Sequence, residues 1–76
     1  MAISMNRLEG EIDHTLELST ICRGEWCRAL ESQVNNLDAE LTEVSRVKTI
    51  ADSSRFAKMS EKVRKAYRNL GPNIHV

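Results

Sequence analysis

The sequence predicts an all-α fold, and three observations carry that expectation. Apolar residues recur at three- and four-residue intervals along most of the chain, the period of one helix face. Gly and Pro number three and one in 76 residues, and no Asn-Gly or Asp-Gly hairpin signal occurs. The core-forming residues are Leu, Val and Ile, with one Trp, one Tyr and one Phe against 29% charged residues, a composition suited to helix-on-helix packing. The expected architecture is an antiparallel, coiled-coil-like helical hairpin. The N-terminal segment either extends the first helix or folds back as a third. One small domain spans 1–76, with helical segments at about 5–23, 25–51 and 54–70 and a tail at 71–76.

The clearest segment is Leu30, Val34, Leu37, Leu41, Val44, Lys48 and Ala51, spaced 4-3-4-3-4-3, a heptad seam with one lysine in it. A second seam, Phe56, Met59, Val63, Ala66 and Leu70, follows out of phase. Asp52, Ser53 and Ser54 fall at the phase break, and all three are helix-capping types, so 52–54 reads as a turn. Folding about that turn pairs Ala51 with Phe56, Lys48 with Met59, Val44 with Val63, Leu41 with Ala66 and Leu37 with Leu70. Leu70-Gly71-Pro72 reads as the end of the second helix, because glycine takes the left-handed turn and proline cannot continue the ladder.

Residues 4–23 carry Leu8, Ile12, Leu16 and Ile21 at near-helical spacing, with Ser4 as a cap. Gly24 decides the architecture. If it breaks the helix, the chain is a three-helix bundle. If it lies inside one helix of ~45 residues, that helix runs ~67 Å, and its exposed half needs a partner chain. An interior glycine costs only ~1 kcal/mol, so composition leaves both forms open.

A chain this short buries only ~60% of its unfolded surface and commonly leans on a cross-link or a partner. Cys22, Cys27, His14 and His75 are the one conceivable metal set, but Cys-x4-Cys matches no usual ligand spacing, and no metal or other cofactor is expected. On a continuous helix the Cα atoms of Cys22 and Cys27 stand ~8.5 Å apart, beyond the ~7 Å reach of a disulfide. The bond becomes possible only if Gly24 breaks the helix. Without an export signal the two read as reduced thiols, and the expected location is cytoplasmic. No phosphate-binding loop, no nucleophile–base set and no small-molecule site is visible, so no enzyme is expected.

The charge is sorted along the chain. Residues 1–45 hold nine acidic and three basic side chains, and 46–76 hold two acidic and eight basic, for a net charge of zero. In the hairpin register the acidic residues of the first seam's helix do not face the basic residues of the following helix, which favours pairing between chains. The expected function is a helical protein–protein interaction or assembly module that self-associates as a homo-oligomer or docks on a helical partner. Leu8, Ile12, Leu16 and Trp26 form the expected partner face. The alternative is a regulator that binds nucleic acid or anionic membrane through Arg55, Lys58, Lys62, Arg64, Lys65 and Arg68, since phosphates are held by clustered Lys and Arg.

Overall fold

The computed structural model describes residues 5–47 and 53–74. Three helices follow one another: α1 (Met5–Ser19), α2 (Glu25–Val47) and α3 (Ser53–Ile74). No strand occurs among the described residues. Each helix packs on the other two. Cross-helix bonds fix the directions. Gln33 reaches Thr15 and Arg7 reaches Glu40, so α1 and α2 run antiparallel. The Gly24 N–H reaches Asn73 O and Tyr67 reaches Asn35, so α2 and α3 are also antiparallel. Arg55 bonds Glu9, Lys62 bonds Asp13 and Asn69 bonds Ser19, so α1 and α3 run parallel. The chain is an up-down-up bundle.

Gly24 breaks the helix. Its φ of +59° is the one left-handed backbone among the described residues, a conformation that glycine adopts without the steric cost a Cβ brings. The fold-back form is the one observed, and α1 ends at Ser19 rather than near residue 23.

That ending is well satisfied. A helix leaves its last four carbonyls without helical donors. Here Leu16 O accepts from Ser19 Oγ, and Glu17 O from the Thr20 N–H and hydroxyl. Leu18 O accepts from the Ile21 and Cys22 N–H groups, and Ser19 O from Asn73 Nδ2. Gly24 then starts α2 at the capping position, its carbonyl accepting the Arg28 N–H at 3.3 Å.

The core is one cluster drawn from all three helices: Leu8 and Ile12, then Cys27, Leu30, Val34, Leu37, Leu41 and Val44, then Met59, Val63, Ala66 and Leu70, with Cys22 from the connection. The seam read from Leu30 to Val44 is buried throughout, and so is the second seam from Met59 to Leu70. Phe56 is only partly buried against the cluster. Lys48, Ala51 and Asp52 lie outside the described residues, as do Ser4 and His75. Ser53 and Ser54, read as part of the turn, are the first two residues of α3.

The stop at Leu70-Gly71-Pro72 is corrected: α3 continues through both residues to Ile74. Gly71 stays right-handed. Pro72 lacks an N–H, so the helix goes through it with one backbone bond fewer. The extra turn also has something to hold. Asn73 accepts the Gly24 N–H at 3.0 Å on its carbonyl and donates its side-chain amide to Ser19 O at 3.3 Å.

Candidate interaction surfaces

Thr20 to Gly24 form the α1–α2 connection, and a Cys22–Cys27 disulfide closes it, with the two Cα atoms 5.2 Å apart. This corrects the expectation of reduced thiols. The helix break at Gly24 removes the separation that a continuous helix imposes. Both half-cystines are buried, and among the described residues no group of three or more His, Cys, Asp or Glu is placed to hold a metal ion.

Two large apolar side chains remain in solvent among the described residues, Ile21 at 62% and Trp26 at 47% exposure. Each immediately precedes one of the paired cysteines. The cross-link therefore ties both to the same end of the bundle, where α1 ends and α2 begins. Arg23, Glu25, Arg28 and Ala29 around them are exposed as well.

The expected partner face is taken apart by this fold. Leu8 is 0% and Ile12 2% exposed; both belong to the chain's own core and offer no surface. Leu16 is partly buried against that core. Trp26 alone of the four stands at the surface. The reason is a shift of the inward stripe. The buried residues of α1 are Leu8, Ile12, Thr15 and Ser19, a regular 4-3-4 row whose last two members are polar. Following apolar residues alone led to Leu16 and Ile21 instead. Thr15 and Ser19 are tolerated inside because their hydroxyls are bonded, Thr15 accepting from Gln33 Nε2 at 3.1 Å and Ser19 accepting from Asn69 Nδ2 at 3.1 Å.

The basic residues of α3 divide into two groups. Arg55 and Lys62, one heptad apart, turn toward α1. Arg55 grips both carboxylate oxygens of Glu9, at 3.1 and 3.3 Å, and the Asn6 amide oxygen at 2.6 Å. Lys62 Nζ meets Asp13 at 2.6 Å. The hydrogen bond from Arg55 holds the Glu9 carboxyl below the usual carboxylate range, its charge adding to the effect. The acidic first half thus meets the basic second half inside one chain, through α1 rather than α2. Lys58, Arg64, Lys65 and Arg68 face outward, with no ion-pair partner among the described residues. Glu61 lies among them.

Tyr67 sits between α2 and α3 and donates its hydroxyl to Asn35 Oδ1. Burial pushes its pKa up, and the nearby charges of Asp38 and Glu31 push in the same direction.

No helix among the described residues is long and apolar enough to cross a membrane. No protein-family model, curated protein or solved structure matches the chain.

Proposed function

We propose that this chain is a small helical interaction module that docks on a helical protein partner through the Ile21/Trp26 end. The observation that carries this reading is the exposure of those two side chains on a cross-linked connection. Leaving each in water forgoes ~1.5–3 kcal/mol of burial, and a tryptophan on a rigid base is the kind of residue that anchors interfaces. The motive for obligatory self-association through Leu8 and Ile12 falls away, because α1 already covers them. The expected register, Leu41 opposite Ala66 and Leu37 opposite Leu70, is corrected: Tyr67 bonds Asn35 and the Gly24 N–H bonds the Asn73 carbonyl, so α3 sits several residues out of step with it. The chain has no catalytic role in this reading.

The test is a photo-cross-linking residue at Ala29, beside the proposed surface, in the native host. Adducts that disappear when Ile21→Ser and Trp26→Ser are introduced, with circular dichroism unchanged, support the reading. Adducts indifferent to both substitutions contradict it.

A second reading rests on the four outward cations of α3. Lys58, Arg64, Lys65 and Arg68 would bind a polyanion, either nucleic acid or an anionic membrane. Arg55 and Lys62 are not available to it, being engaged by Glu9 and Asp13. Such binding weakens steeply with salt, whereas an apolar helical interface barely responds. A titration of polyanion binding against salt separates the two.

The proposed location is cytoplasmic. Disulfides there are rare and, when present, are usually transient and redox-sensing, which gives the Cys22–Cys27 bond a regulatory meaning in that compartment.

A further inference from the structure

We propose that the Cys22–Cys27 disulfide is a redox lock on the fold-back of α1, and that its reduction lets α1 and α2 run on as one helix, with α1 docking on α3 of a second copy. The inference goes beyond the docking reading and does not depend on it.

The lock follows from distance. The bond holds the two Cα atoms 5.2 Å apart, while residues i and i+5 of a continuous helix stand ~8.5 Å apart, out of disulfide reach. The oxidised chain therefore cannot straighten. Reduction removes that prohibition. A dithiol gives up two electrons and two protons and closes to its own disulfide; the bond between the two sulfurs breaks, and Cys22 and Cys27 become thiols.

The straightened form also has a continuous, mainly apolar row waiting for it. The inward row of α1, Leu8, Ile12, Thr15 and Ser19, continues through Cys22, Trp26, Leu30, Val34, Leu37, Leu41 and Val44 in steps of three and four residues. On one helix these positions share one face. Trp26, exposed in the folded-back chain, is the member that completes the row across the hinge.

Straightening need not cost the α1 contacts. Glu9–Arg55, Asp13–Lys62 and Gln33–Thr15 are all made between helices, so α1 of another copy can supply the same side chains. Exchange of an identical element between copies is a low-cost route to a dimer. What the monomer retains is the left-handed Gly24 and its bond to Asn73.

The deciding experiment is light scattering on the full chain carrying Gly24→Ala, which disfavours the left-handed turn and favours the helix. It is compared oxidised and in the Cys22→Ser/Cys27→Ser background. The oxidised variant stays monomeric; the serine background doubles its molar mass as concentration rises, and iodide quenching of Trp26 falls as the ring is covered. Wild-type chain held in dithiothreitol, its thiols confirmed free, shows a dimer fraction that grows with concentration. A reduced or serine-background chain that stays monomeric at millimolar concentration, or that loses its helicity, overturns the proposal. So does equal dimerisation of the oxidised Gly24→Ala chain.

Discussion

The backbone N–H of Gly24 donates to the carbonyl of Asn73 at 3.0 Å. This one bond joins the connection between α1 and α2 to the last turn of α3, beyond the Gly71-Pro72 pair. It accounts together for the left-handed glycine, the length of α3 and the return of α1. Oxidised Gly24→Ala keeps the fold but forces a Cβ into a left-handed backbone, at ~1–2 kcal/mol. A shift of that size lowers the melting temperature by roughly 4–16 °C in a domain this small. An unchanged melt would mean that residue 24 is not left-handed.

Leu8 and Trp26 belong to one proposed surface in the sequence and to different environments in the fold. Leu8→Ala leaves a cavity in the core and costs ~2–5 kcal/mol. Trp26→Ala removes a half-exposed side chain and costs about 0.5 kcal/mol or less, the range of most substitutions at the surface. Chemical denaturation of both variants checks this. Equal losses would return Leu8 to the surface or bury Trp26.

Ser19 is fully buried and bonded on both sides, donating to Leu16 O and accepting from Asn69 Nδ2. Ser19→Ala leaves the half-buried Asn69 amide without that acceptor, and an orphaned polar group costs ~1–3 kcal/mol. Adding Asn69→Ala to Ser19→Ala should cost little more, because the partner left unpaired is then gone. Additive losses in a double-mutant cycle would deny the bond.

Two groups set pH windows of opposite sense. Glu9 has its pKa lowered by Arg55, so its contribution is present above the ordinary carboxylate range and is lost as pH falls through the lowered value. Glu9→Gln removes that acid-side dependence. Tyr67 has its pKa raised by burial from 10.0. Its contribution is complete below that value and is lost as pH rises through the raised one. Tyr67→Phe flattens the alkaline limb of the stability profile and leaves the acid limb alone.

The α2 and α3 seams were legible because their apolar residues alternate at three and four without interruption, and Leu30 to Val44 and Met59 to Leu70 are buried as that spacing requires. The branch at Gly24 was not legible. A glycine serves a long helix or a turn almost equally well, and what decides it is distant in sequence: the Asn73 carbonyl and the pairing of Cys22 with Cys27. The same distance hid the end of α3, since Gly-Pro is a stop signal until Asn73 is given partners. The α1–α3 ion pairs were missed because charges were matched across the α2–α3 hairpin alone, whereas Glu9 and Asp13, four apart, meet Arg55 and Lys62, seven apart, on a parallel neighbour. Of the expected partner face, Trp26 alone lies at the surface. Ile21 falls outside because the inward row of α1 runs through Thr15 and Ser19 rather than through Leu16.

Small-angle X-ray scattering of the oxidised chain, with molar mass from the same sample, tests the fold-back of α1 most directly. The bundle measures 41 × 23 × 16 Å over its Cα atoms, with a radius of gyration of 12.8 Å. The predicted result is a monomer whose scattering matches those dimensions. A continuous α1–α2 helix would run ~64 Å, well past the longest dimension of the bundle. A particle of that length, or a doubled mass in the oxidised state, would contradict the account.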